Sequence, residues 1–262
     1  MRQNLALKKW RSGAQSVGGW LSLGSVHVAE MLTHAGFDWL VVDLQHGLTD
    51  YTDLTRMLPA ISTTDTTPMV RVTENRAAEI YKVLDVGAMG VIVPMVNNRE
   101  EAEHAVAATK YPPQGHRSFG PIRAGLYGGA GYATEANDQI ACIVMIETAQ
   151  GIENLESIVA TPGLGGVYIG PSDLALALGL SARGDTDDPL HVATCERIRD
   201  ACKAKGVPVG IHTGGIDYTK RRLAQGFDFV TLGGDAVLLM QAVTRDLAAA
   251  KAAAAERAPA SA

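Results

Sequence analysis

The sequence predicts a single-domain (β/α)8 barrel, and three observations carry that expectation. Eight short, almost continuously apolar runs recur along the chain, the stretches between them have helical spacing, and one helix-to-strand junction is repeated. Unbroken apolar runs suit strands buried on both faces of a parallel sheet better than half-exposed antiparallel ones. Repeated βα units with eight strands close most economically into a barrel. An open doubly wound sheet is the competing architecture, but no Gly-x-Gly-x-x-Gly follows an early strand to support it.

The strands are expected near Gly19–Leu23, Trp39–Leu44, Pro68–Val72, Gly90–Pro94, Ile140–Ile146, Gly166–Ile169, Val207–Ile211 and Phe227–Leu232. Between them Asp50–Ile61, Asn75–Val86, Glu100–Thr109 and Leu190–Lys205 space Leu, Ile, Val and Ala among charges at helical period. The repeated junction is Ala35-Gly-Phe-Asp-Trp-Leu-Val-Val-Asp43, echoed by Val86-Gly-Ala-Met-Gly-Val-Ile-Val93 and Gln225-Gly-Phe-Asp-Phe-Val-Thr231. In each, a glycine ends a helix in the left-handed conformation and a buried strand begins a few residues later. Tyr111–Asn137 breaks the rhythm with three prolines, six glycines and little periodicity, and reads as a long loop, functional or disordered. The barrel is expected to occupy residues 1–246, with 247–262 a helix end and an Ala/Pro tail.

Composition narrows the function. With 262 residues, 47% hydrophobic and 19% charged, the chain has ample material for a core. The net charge of −5 and the lack of a basic stripe argue against a nucleic-acid or membrane-surface partner. No apolar run approaches the ~20 residues of a bilayer helix, and the N-terminus lacks a signal-peptide apolar region. Cys195 and Cys202, seven apart on an expected helix, stand roughly 10 Å apart, beyond disulfide reach. A cytoplasmic protein acting on a small molecule is the expectation.

In a barrel the active site forms at the C-terminal ends of the strands. There the sequence places Asp43 and His46, then Arg71, Glu147, and the run Gly170-Pro-Ser-Asp173. Ionisable groups ending buried strands are costly unless they satisfy one another or an ion. Glu147 and Asp173 are hard oxygen donors without a nearby His or Cys, a set suited to Mg2+ or Mn2+, although each alone also reads as a helix cap. Gly170-Pro171 looks like a helix start whose Ser172 and Asp173 N–H groups can bind a carboxylate. No lysine falls on a strand, which disfavours imine chemistry.

Several segments together resemble the HpcH/HpaI family of metal-dependent class II pyruvate aldolases. They are Phe37-Asp-Trp-Leu-Val-Val-Asp-Leu-Gln-His-Gly47, Leu84-Asp-Val-Gly87, Val93-Pro-Met-Val96, Tyr111-Pro-Pro-x-Gly-x-Arg117, Met145-Ile-Glu-Thr148 and Tyr168-Ile-Gly-Pro-Ser-Asp-Leu174. The resemblance runs from about Trp20 to Leu239. It implies a (β/α)8 barrel, a homo-oligomer with a hexamer as the family's frequent form, and retro-aldol cleavage of 4-hydroxy-2-oxo acids to pyruvate and an aldehyde. By the same resemblance Glu147 and Asp173 hold Mg2+, Mn2+ or Co2+, Arg71 lies beside the pyruvate oxygens, and His46 is the base. Asp85 corresponds to the acidic partner of that histidine, and Asp43 to a supporting or subunit-contact acid. Arg71 can also pair with Asp43 or Glu147, and His46 can be a loop or capping residue. The loop with His116, Arg117, Ser118 and Arg123 either reaches substrate, within the chain or across a subunit boundary, or is a solvated basic loop, which suits Arg123 as well and Arg117 less. After the seventh strand, where relatives are commonly apolar, this chain has His212 and Thr213, which either bind a polar aldehyde or face water. Gln45 replaces a glutamate common among relatives. An acyl-CoA lyase of malyl- or citramalyl-CoA type and a non-catalytic barrel that binds 2-oxo acids are the alternatives.

Overall fold

The computed structural model describes residues 1–256. Its strands are β1 (Ser16–Leu21), β2 (Trp39–Asp43), β3 (Thr67–Arg71), β4 (Gly90–Val93), β5 (Ala141–Ile146), β6 (Gly166–Ile169), β7 (Val209–Ile211) and β8 (Phe229–Gly234). Each pairs in parallel with its sequence neighbours, and β8 returns to β1, closing the barrel. The eight expected strands are therefore all present, with ends shifted by up to three residues.

Around them run α1 (Leu5–Arg11), α2 (Val26–His34), α3 (Tyr51–Ile61), α4 (Ala77–Asp85), α5 (Arg99–Thr109), α6 (Ile122–Gly128) and α7 (Tyr132–Gln139). They are followed by α8 (Ala149–Glu153), α9 (Leu155–Val159), α10 (Pro171–Ala177), α11 (Pro189–Ala204), α12 (Ile216–Ala224) and α13 (Asp235–Glu256). Local chemistry sets many of the starts. Asp50 caps α3 through a reciprocal box with Asp53, and Asn98 caps α5 through Glu101 N–H. The repeated junction is as expected: Gly36, Gly87 and Gly226 stand at φ 95°, 102° and 88°, a region only glycine enters without strain.

Two layers of core result. Leu, Ile and Val from the outward strand faces meet the helices, while Trp20, Trp39, Met69, Ile143, Tyr168 and Phe229 fill the barrel interior. Interior glycines make room for those rings: a Cβ on Gly18 would lie 2.1 Å from the Trp39 indole, and one on Gly210 2.3 Å from Phe229. Helix α1 plugs the end at which the strands begin, with Trp10 stacked on Phe229 at 4.1 Å and donating to Ser16 Oγ at 2.7 Å.

One expectation is corrected here. Residues 111–137 are not one loop, because they hold α6 and most of α7. Glycine-rich composition masked two short helices that are stabilised by tertiary packing of Ala124, Tyr132 and Ala136 rather than by propensity. Helix α13 runs past 246 to Glu256, and the rest of the expected tail lies outside the described residues. Cys142, Cys195 and Cys202 are free and buried. No described helix is long and apolar enough to cross a membrane.

Candidate active site

Parallel strands bring all eight C-terminal ends to one pole, and a cavity of about 270 Å³ opens there. Its wall includes Asp43, His46, Arg71, Glu147, Asp173 and His212, so the expected rim residues do converge. Gly170 and Ser172 line it as well.

Register makes the central pair. Asp43 and Arg71, the last residues of β2 and β3, are direct partners across the sheet. Arg71 Nε donates to Asp43 Oδ1 at 2.8 Å and Nη2 to Oδ2 at 2.5 Å, a bidentate bridge. Asp43 also accepts from Trp20 Nε1 at 3.0 Å and from the Gln45 N–H at 3.0 Å. Burial alone would raise its carboxyl, but the Arg71 bonds and charge, with those of Trp20 and Gln45, outweigh burial and hold it below the ordinary value. The Arg71 guanidinium lies over the Trp20 ring at 5.0 Å, and its third nitrogen, Nη1, makes no bond among the described residues. Of the two pairings open to Arg71 from sequence, the structure forms the one with Asp43.

Glu147 follows β5 and is 2% exposed. Its Oε1 accepts the Met95 N–H at 2.9 Å, while Oε2 is buried with no hydrogen-bond partner among the described residues. Burial pushes its carboxyl up to about 7, the negative charge of Asp173 adds to the rise, and the Met95 N–H and Arg71 oppose it. A Cβ on Gly170 would lie 1.9 Å from Oε2, so only glycine leaves that oxygen its space. Asp173, in the first turn of α10, is exposed to the cavity mouth. An orphaned buried carboxylate oxygen beside a second carboxylate is the donor chemistry of a hard divalent cation that keeps several waters. The described residues contain no group of three or more His, Cys, Asp or Glu side chains placed to hold a metal ion.

His46 sits in the loop after β2, exposed, its backbone N–H bonded to Asp43 Oδ1 at 3.3 Å. His212 follows β7 and lines the cavity, whereas Thr213 turns away to Thr219 and Thr231 in the barrel wall. The face-water reading thus fails for Thr213, while His212 is half-buried at the cavity.

Asp85, Arg117 and Arg123 are not in the cavity. Helix α4 runs antiparallel to the strands, so Asp85 at its C-terminal end lies at the pole opposite His46. There it accepts from Arg117 Nη2 at 2.8 Å. Arg117 is enclosed by Tyr111 and Tyr132, at 4.6 and 5.6 Å from the ring centroids. Arg123 donates to the Val86 carbonyl at 2.7 Å and to Ser62 Oγ at 2.8 Å. His116 meets Tyr81 at 2.5 Å. Within one chain Asp85 is therefore no partner for His46, and these basic groups fasten α6 and its flanks to α4.

Sequence reading missed Trp20, Tyr168 and Met95. The first two are inward-facing strand residues, legible from strand parity once the inward phase is fixed. Met95 holds φ 57°, a left-handed conformation rare for a side-chain-bearing residue, and so aims its N–H at Glu147. Nothing in the sequence marks it.

Residues 16–242 match the family described as HpcH/HpaI aldolase/citrate lyase. The chain belongs to that family. A hydroxypyruvate/pyruvate aldolase of Rhizorhabdus wittichii is 40% identical over 93% of this chain and 97% of its own length. A 2-dehydro-3,6-dideoxy-6-sulfogluconate aldolase of Pseudomonas putida is 40% identical over 90% of this chain and 92% of its own. The crystal structure of an HpcH/HpaI aldolase/citrate lyase family protein from Burkholderia cenocepacia superimposes with a TM-score of 0.90 at 33% identity, covering 95% of this chain and 100% of that one. The family and the enzyme class expected from sequence, an aldolase or carbon–carbon lyase, are thereby borne out.

Proposed function

We propose that this aldolase reversibly cleaves a 4-hydroxy-2-oxo acid to pyruvate and an aldehyde, with Mg2+, Mn2+ or Co2+ held by Glu147 and Asp173. The observation that carries the reading is the buried Oε2 of Glu147, unpartnered beside Asp173 in a cavity that also holds Arg71 and His46. A divalent ion bound there supplies Lewis-acid stabilisation of the charge that reaches the 2-oxo oxygen as the C3–C4 bond breaks.

The chain's own groups do the rest. Arg71, pinned on two nitrogens by Asp43, offers Nη1 to the same oxygen without reorganising, as a preorganised oxyanion donor does. The N–H groups of Ser172 and Asp173 receive the substrate carboxylate. His46 takes the proton of the 4-hydroxyl at a ring nitrogen as the C4 carbonyl forms, and the electrons of the broken bond become the pyruvate enolate. Protonation at C3 then yields pyruvate.

Arg71 is the one Lys or Arg on the cavity wall among the described residues, which gives the phosphates of CoA no partner there and favours free acids over thioesters. We also propose a homo-oligomer, supported by the exposed Ile122 and Leu126 of α6, 85% and 82% accessible in the single chain. A reducing, cytoplasmic setting is supported by three free thiols. The test is pyruvate release from 4-hydroxy-2-oxo acids: chelator should abolish it and added Mn2+, Co2+ or Mg2+ restore it. Full activity in chelator refutes the metal role.

A further inference from the structure

His212 is held in a way the reaction above does not use. Its backbone N–H bonds the Ile169 carbonyl at 3.2 Å, which fixes the residue at the end of β7. The ring stands edge-on to Trp20 at 5.0 Å and to Tyr168 at 6.4 Å, both nearly perpendicular. Nδ1 meets the Tyr168 hydroxyl at 3.2 Å, and Nε2 makes no hydrogen bond among the described residues. Nor is Nε2 one of the buried orphaned atoms, so it opens to the cavity that the residue lines. The Trp20 ring touches His212 with its edge-on contact and Arg71 with its face, each at 5.0 Å. His212 therefore stands one indole away from the arginine assigned to the 2-oxo group.

We propose that His212 is a specificity-determining residue, hydrogen-bonding through Nε2 an uncharged hydroxyl carried next to the pyruvyl unit. This rests on the aldolase reading above and deepens it. If the Tyr168 hydroxyl donates to Nδ1, Nε2 carries a proton and donates; if Nδ1 donates, Nε2 accepts. A hydroxyl serves either arrangement, a carboxylate only the first, and a methyl group neither. Burial and the Arg71 charge also push the imidazole down to about 4, so near neutral pH it carries no charge to attract an acid group.

The hydroxyl can belong to the 2-oxo acid or to the aldehyde, and matched pairs separate the two. One arm compares hydroxypyruvate with 2-oxobutanoate against a common aldehyde, and the other compares glycolaldehyde with propanal against pyruvate. In one arm the wild type should favour the hydroxylated partner about tenfold in kcat/KM, chiefly through KM. His212→Leu should bring that ratio close to one, and His212→Gln should recover part of it. Tyr168→Phe, which removes the hydroxyl at Nδ1 and leaves the imidazole in place, should lower the same ratio and keeps the test open should the leucine variant fold poorly. Equal ratios in wild type and His212→Leu overturn the role of His212. Oxaloacetate decarboxylation by the wild type runs through the same enolate with no hydroxylated partner, so its absence would instead count against the aldolase reading.

Discussion

The two poles of the barrel each carry an arginine–aspartate pair, and the pairs are built for opposite ends. At the rim, Arg71 and Asp43 are register partners joined by two bonds, with side chains 11% and 3% exposed. The acid is sunk, and the arginine keeps Nη1 unbonded among the described residues. At the other pole Arg117 is fully enclosed while Asp85 is 28% exposed, joined by one bond. Here the cation is spent on aromatic faces, with Nε and Nη1 lacking a hydrogen-bond partner among the described residues. On the proposed reading the rim pair, anchored by its acid, serves chemistry, while the far pair, anchored by its arginine, serves packing.

That contrast can be broken most sharply on the carboxylates beside the rim pair. Glu147→Gln should cut kcat by about 10³-fold or more and remove Mn2+ binding in calorimetry. It should also leave the melting temperature unchanged or raised, because a buried unpaired carboxylate opposes folding. Next in size, Arg71→Lys keeps the charge but cannot bridge Asp43 on two atoms, and kcat/KM should fall by about 10²-fold. Unchanged turnover would mean that the two-point grip is irrelevant.

Acidity sharpens the comparison further. Glu147 is raised to about 7, so protons compete with the cation below that value. Mn2+ affinity should weaken by up to about tenfold per unit as pH falls through and below 7. The stability effect has its own sign: a carboxyl raised on folding makes the ion-free protein lose stability as pH climbs from the ordinary carboxylate range towards 7. The smallest effect on turnover is expected at the far pole. Arg117→Met should cost about 2–3 kcal/mol in chemical denaturation, yet leave kcat within about twofold at 25 °C. A loss of turnover with stability intact would show that this pole completes the rim of another copy of the chain.

Much of this was legible from the chain alone. Alternating periodicities, the recurring Gly junction and the identity of the residues ending each strand are short-range properties, written in segments of ten or so residues. They placed all eight strands and brought Asp43, His46, Arg71, Glu147 and Asp173 to one rim, since parallel strands admit only one C-terminal pole. Helices α6 and α7 escaped because their stability comes from Tyr132 and Ala136 packing on distant elements.

What the tertiary structure alone decided is which side chain meets which. Closure of the barrel fixes the register that sets Asp43 opposite Arg71, sends Asp85 to Arg117 at the opposite pole, and turns His212 inward while Thr213 enters the wall. The pairs Thr213–Thr231, Asp43–Arg71 and Asp85–Arg117 join residues 18, 28 and 32 positions apart. They depend on the shear of the whole sheet and on the direction of each helix, which no local window of sequence contains.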